Sequence, residues 1–256
     1  MPNTIHEVEP MSRRGTFHFL ALATAAILPF AANADTVAEQ LAQSLSVNGQ
    51  AMPVTEVSPT PLADIYQVHL ETGESFYSNA DGSHFLVGDL FENGEDGLVN
   101  LTEQARNQER AEALAAIDED QRVIFRGVQE PKATVTVFTD TSCPYCVQFH
   151  EQVPALNEMG IAVHYLAFPR SGMQGEVARV MQQVWCADNR SAAMTQAKQG
   201  ETLKGTSDCD NPVASQYDLG MAVGVQGTPA IVLPDGRLVP GYVPAERLAR
   251  MLDIEG

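Results

Sequence analysis

Cys143 and Cys146 stand two residues apart in the stretch Thr141-Ser142-Cys143-Pro144-Tyr145-Cys146. That spacing serves either as half of a zinc site or as a pair that makes and breaks disulfides. Structural zinc takes about four ligands, usually as two close Cys/His pairs. The other two cysteines, Cys186 and Cys209, lie far apart in sequence, and no histidine flanks them at knuckle spacing. The redox reading is therefore preferred, and no metal or cofactor is expected.

Position favours the same reading. The β-branched, apolar run "ATVTVFTD", residues 133–140, reads as a central strand, and "VQFHEQVPALNEM" after the cysteines reads as helical. Cys143 then falls at a helix N-terminus, where unpaired N–H groups and the helix dipole favour a thiolate. Pro144 costs little in a first turn, because its missing N–H would have no helical partner. Cys146, a turn further in, is expected to stay a protonated, more buried thiol that resolves mixed disulfides. Asp140, three before Cys143, is expected to cap or to bond the strand end. His150 shares a helix face with both cysteines and could tune them; a half-exposed packing histidine is the preferred reading.

Cys186 and Cys209 flank a polar stretch that includes "KQGETLKGTSD", with little hydrophobic anchoring of its own. A structural bridge between them would stabilise the fold by about 3 kcal/mol in the chain-entropy model; two free buried thiols are the alternative.

These residues need a scaffold. The chain has 256 residues, 44% of them hydrophobic, enough for one or two cored domains. Arg13 and Arg14 precede an apolar run from Phe17 to Phe30, and Ala32-Asn33-Ala34 suits a signal peptidase. Residues 1–34 are thus expected to be a cleaved signal peptide, which places the mature protein outside the cytoplasm, where disulfides persist. Glu7 and Glu9 fit that pattern badly, so Met11 is an alternative start.

The formal net charge is −18, and no Lys or Arg occurs between Asp35 and Ala105. Such a surface repels phosphate backbones, so nucleic acid is not expected as a partner. A solvated, solubilising face is preferred over an adaptation to high salt.

A short amphipathic helix is expected around Val37–Leu45, and strands from Pro53 to Leu90, where Tyr66, Val68 and Leu70 alternate with polar residues. This small sheet needs a partner surface. Leu101–Ile117 reads as a linker helix whose apolar positions are mostly alanine and so give only a weak core stripe, and Asn100 and Glu103 are spaced as a capping pair. Beyond it the pattern is α/β: "IAVHYLAF" gives a second buried strand, "PAIVLPDGRLVPG" a hairpin turning at Asp235-Gly236, and residues 244–252 a last helix.

The segments "VFTDTSCPYCVQFHEQ", "YLAFPRSG", "WCADNR" and "GVQGTPAIVLPDGRLVPGY", behind an acidic N-terminal region, resemble the periplasmic thiol:disulfide interchange proteins of the DsbC/DsbG group. The resemblance spans essentially the whole mature chain. It implies an α+β protein with a small antiparallel-sheet (cystatin-like) dimerisation domain at 35–98, a linker helix at 99–120, and a thioredoxin-like α/β catalytic domain with a helical insertion at 121–256. It further implies a periplasmic, V-shaped homodimer whose cleft binds misfolded, disulfide-containing secreted proteins, and the membrane reductant DsbD as partner. Thr228-Pro229 would be a cis bond facing the cysteines, where an extended substrate can pair. Pro144-Tyr145 resembles the DsbG-like members, whereas the second cysteine pair and "FPRSG" resemble the DsbC-like ones; the joint features weigh more. One departure concerns thioredoxin, whose buried acid before the first cysteine corresponds here to Val137, leaving that proton acceptor absent; Asp140 is the alternative acceptor, with capping or strand-end bonding its preferred role. The implied activity is protein disulfide isomerisation with chaperone function. A DsbG-like reductase of sulfenic acids on single cysteines and a thiol-independent holdase are the alternatives.

Overall fold

The computed structural model of the chain describes residues 31–95 and 97–254. The expected leader up to residue 30 lies outside them, and the expected cleavage point after Ala34 falls within the first helix, α1 (Ala31–Ser44). A tight β1 (Ser46–Val47) and β2 (Gln50–Ala51) ribbon follows, then β3 (Val54–Pro59), β4 (Ile65–Leu70), β5 (Ser75–Asn79) and β6 (Phe85–Leu86), an antiparallel sheet in sequence order. Leu41 and Leu45 of the α1 end pack on Val68 and Phe76, forming a core of a few side chains.

The sequence reading left residues 91–100 unassigned. They form a hairpin of β7 (Phe91–Gly94) and β8 (Gly97–Asn100), closed where Gly97 takes a positive φ of 119°. The turn residues were the available sign, but the strands carry no clean alternation to frame them.

Helix α2 (Leu101–Ala115) starts where Asn100 Oδ1 accepts the Glu103 N–H at 2.9 Å, the cap that residue spacing foretells. It is anchored by polar groups at both ends. Thr102 Oγ1 bonds the Tyr77 hydroxyl and accepts the Leu90 N–H at 2.7 Å, holding the N-terminal sheet. Eight residues on, Arg110 is buried and donates to Val223 O at 3.0 Å and Gly236 O at 2.7 Å, holding the C-terminal part. Gly236 makes that approach possible: with φ at 82°, a Cβ there would meet the Asn107 carbonyl oxygen at 1.8 Å.

The C-terminal part continues with β9 (Val123–Phe125), β10 (Ala133–Thr139), α3 (Pro144–Glu151), α4 (Val153–Glu158), β11 (Ile161–Ala167), α5 (Glu176–Trp185), α6 (Arg190–Lys198), α7 (Val213–Ala222), β12 (Ala230–Val232), β13 (Leu238–Pro240) and α8 (Ala245–Met251). The sheet order is β13-β12-β10-β11-β9. β10 and β11 run parallel in the register Ala133↔Ile161 to Thr139↔Ala167, while β12 and β9 flank them antiparallel.

Helices cover both faces, so all seven residues of β11 are buried. Alternation along β10 divides the core. Val135 and Val137 join Phe149, Leu156, Tyr165, Met181 and Trp185 on one face, and Phe138 joins Leu166, Phe168 and Leu114 of α2 on the other. Burying such large side chains stabilises by about 1.5–3 kcal/mol each. No described helix is long and apolar enough to cross a membrane.

Candidate active site

The parallel register brings the C-terminal ends of β10 and β11 side by side, and the site forms there. Asp140 ends β10, a short turn follows, and Cys143 is the N-cap of α3 with Pro144 in its first turn. Both cysteines are free thiols in buried residues, Cys143 1% and Cys146 0% exposed, while Tyr145 between them is 62% exposed. The Thr228–Pro229 peptide bond is cis. It seats the Thr228 carbonyl 3.2 Å from the Cys143 sulfur, which donates to it while protonated.

Burial alone would raise the Cys143 thiol. The Thr228 side chain, the Cys146 N–H and thiol, and the charge of Arg170 outweigh it and hold Cys143 below the usual thiol value. The Thr228 hydroxyl has no other partner among the described residues, so it is free to donate to that sulfur once ionised. Cys146 moves the other way, because burial pushes its thiol up despite the cation of Lys198 and contacts to Thr228, Asp140 and Thr139. The two sulfurs are thus driven apart in acidity by their surroundings.

Asp140 braces the turn. Its Oδ1 accepts from the Ser142 N–H and hydroxyl, each at 2.7 Å, and Oδ2 accepts from the Arg170 N–H at 3.0 Å and Nε at 3.1 Å. Burial favours the neutral acid, yet these four bonds hold its carboxyl below the usual carboxylate range. It is a strand-end brace rather than a thiol-facing base.

Arg170 enters from the chain just beyond β11. Sequence reasoning assigned it no role, although the parallel pairing of two apolar runs would have placed it beside Cys143. His150 packs: Nδ1 pairs with the Tyr165 hydroxyl at 3.1 Å and Nε2 with Thr195 Oγ1 at 3.0 Å. Burial and Lys198 lower its pKa to about 4, so it is neutral at physiological pH.

The polar stretch beginning at Lys198 differs from its reading as a weakly anchored loop. Lys198 is the last residue of α6 and is buried, its Nζ donating to Thr139 Oγ1 at 2.8 Å. Cys186, at the C-terminal end of α5, and Cys209, shortly before α7, are joined in a disulfide. No described group of three or more His, Cys, Asp or Glu side chains could hold a metal ion.

Outside the thiols, a groove of about 1150 Å³ runs between the N-terminal sheet, α2 and the β12 loop, lined by Met52, Leu70, Phe76, Met221 and Gly227 and reaching Thr228.

The two parts of the chain match two family models: a disulfide bond isomerase protein N-terminal domain over residues 30–103, and a thioredoxin-like domain over residues 119–254. These define the class, a thioredoxin-like thiol:disulfide oxidoreductase carrying an isomerase-type N-terminal domain. The thiol:disulfide interchange protein DsbC of Dickeya dadantii is 39% identical over 84% of this chain and 87% of its own length. DsbC of Escherichia coli K12 is 36% identical over 87% of this chain and 89% of its own. The chain belongs to the DsbC family of thiol:disulfide interchange proteins. Among solved structures, a disulfide interchange protein from Neisseria gonorrhoeae matches 54% of this chain and 96% of its own, with 31% identity and a TM-score of 0.48. These relatives do not favour the sulfenic-acid reductase alternative.

Proposed function

We propose that the protein is a periplasmic protein disulfide isomerase in which Cys143 attacks and Cys146 resolves. The observation that carries this reading is the placing of Cys143 at the α3 N-cap, against the cis Thr228–Pro229 bond, with Cys146 buried one turn on. In the first step the Cys143 thiolate attacks a client disulfide, forming a Cys143–client bond and expelling the other client sulfur as a thiolate. Either a client thiolate then displaces Cys143 with a new pairing, or Cys146 displaces the client and leaves it reduced.

Pro229 offers no N–H, and the cis bond exposes neighbouring backbone along which an extended client strand can pair. The Cys186–Cys209 bridge serves as a structural clamp on the helical insertion. Isomerisation needs Cys143 reduced in an oxidising compartment, so a reductant of the DsbD type is the proposed partner. Exposed Phe85, Leu86, Val87 and Leu98 support a homodimer built on the N-terminal region, with the groove reaching Thr228 serving misfolded clients.

The test is refolding of a scrambled multi-disulfide protein with and without a thiol reductant. Reductant-dependent recovery of native pairing is expected from the wild type and none from Cys143→Ser; equal recovery from both would leave only a holdase.

A further inference from the structure

A buried lysine needs a reason. Lys198 is 5% exposed, and among the described residues no carboxylate pairs with its amine, because both oxygens of nearby Asp140 are taken by Ser142 and Arg170. Its partners are neutral oxygens, Thr139 Oγ1 at 2.8 Å and Asp140 O at 3.4 Å, and the Tyr165 ring, whose centroid is 5.5 Å from Nζ. Such solvation is poor, and burial lowers the lysine to a pKa of about 8.

Thr139 is fully buried at the end of β10 and also contacts Cys146. With Lys198 as ammonium, Nζ donates to the Thr139 oxygen and the Thr139 O–H is left to face a Cys146 thiolate. With Lys198 as the neutral amine, the hydroxyl turns to donate to the amine lone pair and its oxygen accepts from the Cys146 S–H. A buried amine, a hydroxyl and a buried thiol therefore form one chain. Its two charge states, amine with thiol or ammonium with thiolate, carry the same net charge and differ by a relayed proton. Creating the thiolate alone at this depth would be far more costly.

We propose that Lys198, acting through the Thr139 hydroxyl, takes the proton of Cys146 when Cys146 resolves a mixed disulfide and returns it when the Cys143–Cys146 disulfide is reduced. The inference rests on the reading of Cys146 as the resolving cysteine. Resolution proceeds from the fraction of molecules whose Lys198 is the neutral amine, a minority at pH 7 for a pKa of about 8: the Cys146 proton passes to Thr139 as the Thr139 proton passes to that amine. The Cys146 thiolate forms a bond to the Cys143 sulfur, and the Cys143–client bond breaks. The client sulfur leaves with the electron pair and is protonated by water; Cys146 is oxidised and the client sulfur reduced. In reduction by a thiol, Cys146 departs as thiolate and regains the proton from the ammonium. Lys198 thus fills, from a helix of the insertion, the post that Val137 leaves vacant.

The groups facing Lys198 are Cys146 and His150 on α3, Tyr165 on β11, and Asp140 and Cys143 around the site turn. His150, with a pKa of about 4, is neutral and Asp140 ionised throughout the range from pH 6 to 9, and the Tyr165 phenol is raised by burial out of that range. Changes there belong to Lys198 and the two thiols.

The test uses the full reduced chain and the aromatic disulfide DTNB in stopped flow. A first released thionitrobenzoate reports attack by Cys143, and a second reports resolution by Cys146. Lys198→Met, close in shape and suited to burial, is expected to keep the first phase, slow the second at least about tenfold at pH 7, and move its pH profile upward. Thr139→Val provides an independent variant expected to do the same, and the double variant should be no slower than either single one. A second phase of wild-type rate and pH profile in both variants, or losses that add, would overturn the proposal. A wild type that releases only one equivalent would instead overturn the resolving role of Cys146, and the relay with it.

Discussion

The N-terminal and C-terminal regions solve the burial problem differently. Among the described residues before α2, the buried apolar side chains are Leu41, Leu45, Val68, Phe76 and Tyr77, while Phe85, Leu86, Val87, Phe91, Leu98 and Val99 are exposed. After α2, a sheet covered on both faces buries aromatic and aliphatic side chains throughout. The lesson is that the second region carries its own stability and can hold a reactive site rigidly. The first has apolar surface to spare for a partner, and its one-signed charge keeps that surface soluble.

The largest expected effect comes from removing the chemistry while leaving both regions intact. Cys143→Ser should abolish disulfide isomerisation of a scrambled client while the binding of unfolded chains by the N-terminal region survives, measured as suppression of client aggregation.

Deleting residues 35–95 should sharpen the contrast next. By sedimentation the remainder should be monomeric and still folded, and its isomerase rate should fall. A dimeric truncation as active as the full chain would erase the distinction between the regions.

A smaller effect is expected at the joint. Arg110→Ala strips the buried donor from the Val223 and Gly236 carbonyls and should cost about 2–3 kcal/mol, read from denaturant unfolding.

The smallest lies in the acid response of the C-terminal core. His150 and His164 are each lowered to a pKa of about 4, chiefly by burial. Their folded pKa lies below the unfolded value of about 6.5, so the unfolded chain binds protons first on acidification. The stability they contribute is complete above about pH 6.5 and is lost as pH falls towards about 4. The melting temperature should decline over that window, and His164→Leu, which also removes an unpartnered buried nitrogen, should flatten the decline.

Much of this contrast could be read in the sequence where the signal is local. The Asn100–Glu103 cap, the Asp235-Gly236 hairpin and the strand–cysteine–helix order need only neighbouring residues to declare themselves. The β7–β8 hairpin escaped because its strands lack alternation, and α1 is already helical over the described residues ahead of Val37, where amphipathicity placed its start. What stayed hidden at the site was assembled across the fold. Arg170 reaches Cys143 only because β10 and β11 are parallel and in register, and Lys198 reads as a loop cation until α6 turns it inward beneath β10. A polar residue's burial depends on what packs over it, which its own neighbours in sequence do not encode.

The central claim is that the surroundings of the first sulfur hold it as an anion. It is tested most directly by following thiolate absorbance and alkylation of Cys143 in the reduced protein as a function of pH. Ionisation well below the value of about 8.5 for a free thiol is predicted, with Cys146 titrating above it. A Cys143 that ionises at or above the free-thiol value would contradict the account.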